Sequence, residues 1–352
     1  MHVLSISTDR NVFDDSSAVQ ARALEYAKAL GSVDTIVFSR LNQNCQKEKI
    51  VDKLSLYATR SRSRWLYIVD AIKIAKTLTK PDVVTTQDPF ESGLAGFFIA
   101  NHFKVPLHVQ VHTDLFSPEF AKHSWLNRAR LVIARIILKK AQRVRVVSER
   151  IKELIEDRNI TKSTITVLPI FVDVEKYRGV QRARHERFNP MLLVVSRLEK
   201  EKNVSLALET LKILREGGEK EAGLVVVGQG SEAGILTKKA KALGVNQWFE
   251  CVGWRDPLPY YAMADVMLFP SLYDGYGMVI VEALASGVPV VANDVGVARE
   301  SGSHIAANTP RTFAHKIVEI LSEGKRGELK NYPYSFFEEY VMAYAKDLRA
   351  TI

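Results

Sequence analysis

Short runs rich in valine, isoleucine and leucine alternate with longer helical stretches, and the alternation runs through the chain twice. The first series is HVLSIS (2–7), TIVFS (35–39), VVTT (83–86), LHVQVH (107–112) and RVRVVS (143–148), with helical patterns around 17–30, 64–79, 91–101 and 124–141. Runs apolar on both faces fit parallel strands buried between two helical layers, because a parallel connection needs a crossover that returns over the sheet. The segment 169–190, PIFVDVEKYRGVQRARHERFNP, is polar and unperiodic and reads as a linker. The second series follows it: MLLVVS (191–196), GLVVVG (223–228), WFECVG (248–253), VMLFP (266–270) and VPVVAN (288–293), separated by helical patterns around 203–216, 231–243, 276–286 and 311–323. At 352 residues the chain is too long for one comfortable core. The expected organisation is one α/β unit over 1–171 and a second over 172–335, with a helix at 336–352 packing back on the first. Such a pair makes a cleft, and ligands bind beyond the carboxyl ends of the strands.

Composition narrows the setting. The 47% hydrophobic and 25% charged content is that of a soluble globular protein. No apolar run approaches the ~20 residues that span a bilayer. The opening MHVLSISTDRN enters a strand directly, without a signal-peptide layout. Cys45 and Cys251 lie far apart, which argues against a disulfide framework. A cytoplasmic location is therefore expected. The net charge of +9 sits wholly in residues 1–180, where 28 basic side chains face 19 acidic ones; the rest holds 21 of each. An excess of this kind suits an anionic partner. Nucleic acid is not expected, since no helix-turn-helix, zinc or aromatic stacking motif accompanies it. Two stretches interleave bases with large apolar side chains: RSRSRWLYIVDAIKIAK (60–76), and 124–145 with Trp125, Leu126, Ile133, Ile136 and Ile137 among Arg128, Arg130, Arg135, Lys139 and Lys140. They read equally as a peripheral contact with anionic membrane or as amphipathic helices covering the sheet.

The densest chemical signal is SLYDGYGMVIVEALASGVPVVAN (271–293). A strand ends, a Gly275-Tyr276-Gly277 turn opens a helix, and its N-terminus offers amides and a partial positive charge to phosphate or sugar hydroxyls. Glu282 interrupts the otherwise apolar MVIVEALA, where a carboxylate is costly unless it has a task. Asp274 and Glu282, eight residues apart, would lie about 12 Å apart along a helix, too far to share a proton but suited to the two ends of an extended ligand. SRLEKEKN (196–203) places Arg197 and Lys202 at a strand-to-helix turn, where two cations can clamp a diphosphate. GQGSE (228–232) marks another tight strand-to-helix turn. His112 closes an alternating strand in VQVHTD, a place where a lone histidine is more often structural; Asp88 in TTQDPFESG reads as a cap or turn residue.

Together these motifs resemble the retaining glycosyltransferases of family 4 (group 1), whose GT-B architecture is two Rossmann-like domains with parallel sheets facing across a cleft. The resemblance spans nearly the whole chain. Its most specific element is the Glu-x7-Glu motif, present as Asp274-x7-Glu282. It implies that Glu282 holds the nucleotide's ribose and that Asp274 lies near the donor sugar. Gly275, Tyr276 and Gly277 would then supply amides to sugar and phosphate, while Arg197 and Lys202 contact the diphosphate. His112 would stand near the anomeric centre, and Gly253 with Trp254 would line the base. The implied reaction moves a hexose-type sugar, with retention, from a UDP- or GDP-type nucleotide sugar to a glycan or lipid-linked acceptor, without cofactor or metal. An epimerase of the same architecture and a non-catalytic nucleotide-sugar binding partner are the alternatives. The chain departs from the pattern at several points. Asp274 replaces a glutamate, Asn203 a common glycine, and Gly296-Val297 a double glycine; the first loop, STDRNVFDDSSAVQ, has no glycine. Ser16 and Ser17 are candidates for that loop's contacts or for capping the next helix.

Overall fold

The computed structural model describes residues 1–43 and 45–352, which divide into two compact units: Met1–Pro169 with Phe336–Ile352, and Ile170–Ser335.

In the first unit β1 (His2–Ser7), β2 (Ser32–Val37), β3 (Glu48–Val51), β4 (Leu54–Ala58), β5 (Val83–Thr86), β6 (Leu107–Val111), β7 (Arg143–Val146) and β8 (Thr164–Val167) form one sheet in the order 3-4-2-1-5-6-7-8. All neighbours are parallel except the β3–β4 hairpin. Every residue of β5 and β6 is buried, as a strand covered on both faces requires. Periodicity missed β3, β4 and β8. The reason is chemical: EKIV alternates exposed with half-buried positions on a sheet edge, and its turn rests on Asp52 at φ +52°, which aspartate tolerates better than most residues.

Serines set the helix starts. Ser17, Ser124 and Ser148 each cap a helix by accepting from a backbone N–H in its first turn. Ser17 thus spends its hydroxyl on the helix Ala18–Leu30, and Ser16 bonds Asp14. The helix Phe337–Arg349 packs against Ala18–Leu30 and completes this unit. Its Tyr340, Tyr344 and Asp347 recur at helical spacing and meet a row of polar side chains on the sheet. His108 of β6 is fully buried between Thr85 Oγ1 (2.8 Å) and Asp347 Oδ2 (3.0 Å), and Arg143 Nε donates to Asp347 Oδ1 at 2.5 Å.

In the second unit β9 (Met191–Val195), β10 (Gly223–Val227), β11 (Phe249–Gly253), β12 (Val266–Phe269), β13 (Val290–Ala292) and β14 (His304–Ile305) form a parallel sheet in the order 11-10-9-12-13-14. The strand order reverses beside β9, and a crevice opens there at the carboxyl ends. Beneath it Leu192, Val194, Leu224, Val226 and Leu268 pack on Leu208, Leu211 and Phe313 of the covering helices.

The segment 169–190, read as a linker, is partly buried. Val172, Val174, Tyr177 and Phe188 are buried, and Asp173 caps a short helix, Val174–Tyr177. Single apolar residues that each fill a separate hole leave no period to detect.

Candidate functional site

The residues singled out in the second half gather at the carboxyl end of its sheet. The helix Met278–Ala285 buries Ile280, Val281, Ala283 and Leu284 against the sheet, which turns Glu282 to the other side. There the Tyr261 hydroxyl donates to Glu282 Oε2 at 2.8 Å, and the Tyr177 hydroxyl bonds the same carboxylate. Burial pushes the Glu282 carboxyl above its ordinary range, and these two bonds oppose the shift without cancelling it. Glu282 lines a cavity of about 500 Å³ with Tyr177, Ser196, Arg197, Trp254 and Asp256. Trp254 follows β11 with an indole 73% exposed, after Gly253 at φ +74°. An exposed ring face beside a carboxylate is suited to a heterocycle joined to a polyol.

A second cluster sits where β12 ends. Lys202 Nζ donates to Asp274 Oδ2 at 2.5 Å and lies 5.9 Å from the centre of the Phe269 ring. Asp274 Oδ1 accepts from the Tyr276 N–H at 3.3 Å, so this carboxylate fixes the turn as well as the lysine. The helix begins at Gly277, whose φ of +91° excludes most side chains, and no side chain caps it. The Tyr276 ring is buried, which leaves only its backbone for a ligand, and its carbonyl accepts from Val297 N at 2.8 Å. Gly296 is required there, because a Cβ would lie 2.2 Å from the Tyr276 oxygen. Asn203 adopts φ +50°, a left-handed conformation that asparagine enters more readily than most residues, and bonds Asn308.

The two expected diphosphate cations differ in exposure. Lys202 is sheltered against Asp274, whereas the Arg197 side chain is largely exposed, with Nη2 3.3 Å from Glu201 Oε1. Among the described residues no group of three or more His, Cys, Asp or Glu side chains is arranged to hold a metal ion.

His112 belongs to the first unit, at the end of β6. Its Nε2 lies 3.1 Å from Gln110 Oε1, and burial, then the charge of Arg145 and the neighbouring His108, push it down to about 3, so the imidazole is neutral. Asp88 has a local role, accepting from Phe90 N at 2.7 Å. Sequence reasoning missed Tyr177 and Tyr261: each is one aromatic in an unpatterned stretch, and only the fold aims it at Glu282.

Two family profiles match the chain, one described as Glycosyltransferase Family 4 over residues 21–176 and one as Glycosyl transferases group 1 over residues 189–323. The alpha-monoglucosyldiacylglycerol synthase of Streptococcus pneumoniae is 28% identical over 242 residues, 63% of this chain and 54% of that protein. The chain spans about half or less of the length of the first curated relatives it matches. The lipopolysaccharide outer core galactosyltransferase WaaB superposes with a TM-score of 0.69 at 19% identity, over 100% of this chain and 99% of that one. Anabaena Alr3699/HepE in complex with UDP-glucose gives 0.68 at 16% identity, over 99% and 95%. At such identities the superpositions speak for the fold alone. With profile matches over most of both units and two parallel-sheet α/β units of the GT-B kind, the chain belongs to the group 1 glycosyltransferases.

Proposed function

We propose that the protein transfers a hexose-type sugar from a UDP- or GDP-type nucleotide sugar to a glycan or lipid-linked acceptor, with retention of configuration. The observation that carries this reading is the Glu282 carboxylate, held by two tyrosine hydroxyls at the wall of a cavity that also offers an open indole face. Glu282 accepts from the ribose hydroxyls and Trp254 borders the base. The diphosphate then meets Arg197, Lys202 and the uncapped helix start at Gly277. Transfer builds positive charge at the anomeric carbon and negative charge on the leaving diphosphate. Fixed donors and cations aimed at that developing charge lower the barrier without reorganising. Asp274 keeps Lys202 in place; the family resemblance assigns Asp274 to the donor sugar and His112 to the anomeric centre. Leaving-group charge is neutralised by side chains and amides, so no metal is needed. Calorimetric titration with UDP, GDP and ADP, each with and without EDTA, tests the proposal. Selective micromolar binding unaffected by chelation is the expected result, and absence of binding to all three would sink it.

The lipid-linked acceptor draws on a surface of the first unit. The helices Tyr67–Ala75, Glu91–Phe103 and Trp125–Lys140 pack side by side, and Trp65, Val69, Trp125, Val132 and Ile136 project from this region, with both indoles more than 70% exposed. Arg62, Arg64, Lys73, Arg128, Arg135, Lys139 and Lys140 are exposed among them. Indoles suit the headgroup layer, and basic side chains suit anionic lipid. No helix among the described residues is long and apolar enough to cross a membrane; the contact proposed is peripheral. In low salt the protein is expected to sediment with phosphatidylglycerol vesicles and to lose most of that binding in Trp65→Ala/Trp125→Ala. Failure of the unaltered protein to sediment counts against a membrane-borne acceptor.

A further inference from the structure

Arg145 is an expensive residue in an unexpected place. It lies on β7, 2% exposed, and among the described residues it has no carboxylate partner. Its guanidinium donates to Gln110 Oε1 at 2.7 Å, to Tyr340 Oη at 2.7 Å and to the Leu168 carbonyl at 3.3 Å, and it lies 5.1 Å from the Tyr344 ring centre. Among the described residues its Nε has no hydrogen-bond partner. A buried cation without a carboxylate partner is costly, and a neutral side chain of similar shape would knit sheet to helix more cheaply. The charge therefore calls for a role beyond packing.

Hydrogen-bond valence supplies one. A guanidinium only donates, so the Gln110 atom facing it must be the amide oxygen, and the amide cannot flip. The amide nitrogen then points the other way, donating to Thr85 Oγ1 at 3.2 Å and to Tyr344 Oη at 3.1 Å. The same Gln110 oxygen lies 3.1 Å from His112 Nε2. An amide oxygen only accepts, so His112 must carry its proton on Nε2, and its Nδ1 is left as an acceptor. We propose that Arg145, acting through the Gln110 amide, is a positioning residue that locks His112 in the tautomer with Nε2 protonated and Nδ1 presented as a hydrogen-bond acceptor. The usefulness of that acceptor rests on the reading of His112 as a residue near the reacting sugar, whose hydroxyls can donate to it.

The surroundings agree. The groups facing His112 are Arg145 on the adjacent strand and His108 on its own, and both disfavour the imidazolium. Beyond them Asp347 is occupied by Arg143 and His108, while Tyr340 and Tyr344 of the closing helix and Tyr26 of Ala18–Leu30 ring the Arg145 head. Asp114, two residues along, is engaged by Arg150. Among the described residues no carboxylate acts on the ring to hold a second proton on it.

The test is ¹⁵N NMR of histidine-labelled protein, with the His112 signals assigned by their loss in His112→Gln. The unaltered protein is expected to show only the Nε2–H tautomer, without titrating between about pH 5 and pH 8. Gln110→Glu keeps the shape and adds a carboxylate at the same position, so the His112 midpoint should rise to about 6.5 or higher. Arg145→Met should release the amide and give a mixture of tautomers. A mixture or the Nδ1–H form in the unaltered protein would overturn the proposal, as would a His112 that still does not titrate in Gln110→Glu. A merely structural Arg145 would lower the melting temperature and leave the spectrum unmoved. The readout needs no sugar transfer, so it separates the two ideas. His112→Ala consuming UDP-glucose or GDP-mannose at the unaltered rate would remove the catalytic reading of His112, while the lock is decided by its spectrum.

Discussion

Alanine in place of Glu282 is expected to weaken UDP or GDP binding about 10- to 100-fold, the loss of hydrogen bonds to a charged acceptor worth about 1.5–3 kcal/mol. The fold should survive, because the rest of Met278–Ala285 is held by its apolar face. Truncation also leaves the buried Tyr261 hydroxyl without its carboxylate, so Glu282→Gln is the better-matched control: it keeps an acceptor for Tyr261 and removes only the charge. Calorimetry on both variants decides the matter. Unchanged affinity in Glu282→Ala ends the ribose assignment. The same carboxylate sets a pH dependence. Its folded pKa is raised, mainly by burial, so it protonates earlier on acidification than an ordinary glutamate, and nucleotide affinity should fall with it. For folding the sign is opposite. The group opposes the folded state increasingly as pH rises from its unfolded value of about 4.3 through its raised folded value.

The second large effect lies in the first unit. Asp347→Ala is expected to cost about 3–5 kcal/mol, because it leaves Arg143 and the fully buried His108 facing an empty carboxylate site. Burial pushes the Asp347 carboxyl up. The bonds from His108, Arg143 and Thr166 outweigh it and hold the group down at about 2. For His108 burial outweighs Asp347, so the imidazole stays neutral and Arg143 supplies the balancing charge. A lowered carboxylate pKa stabilises the fold fully above its unfolded value of about 3.9, and that contribution disappears as pH falls through about 2. Urea melts at neutral pH and across the acid range test this. An unshifted midpoint in the variant at neutral pH would show that the cluster contributes little.

How far the sequence could be read depended on whether a residue's role was written into a period or only into space. The apolar strands met that condition: HVLSIS and VVTT appear as β1 and β5 without adjustment, and β6 and β7 begin where LHVQVH and RVRVVS begin. So did Glu282, since a carboxylate in MVIVEALA breaks a buried pattern. Tyr177, Tyr261 and Gln110 did not, because each acts on a residue whose position is fixed by other segments. Arg197 and Lys202 are close in sequence but differ in setting: the Arg197 side chain is largely exposed beside Glu201, and the short 3-10 turn Lys200–Lys202 brings Lys202 to Asp274.

The helix Phe337–Arg349 closes a unit whose other elements precede residue 170. On the ribosome this has an order. Residues 1–169 emerge first with the face around Arg145 and His108 uncovered, and residues 170–335 then emerge as an uninterrupted stretch able to complete its own core. Only when 336–352 leave the exit tunnel can Tyr340, Tyr344 and Asp347 seal the polar row on the first sheet. The unit begun first is thus finished last. A stalled or prematurely terminated chain would release a completed second half attached to an open first half, with a buried guanidinium and a buried histidine turned to water.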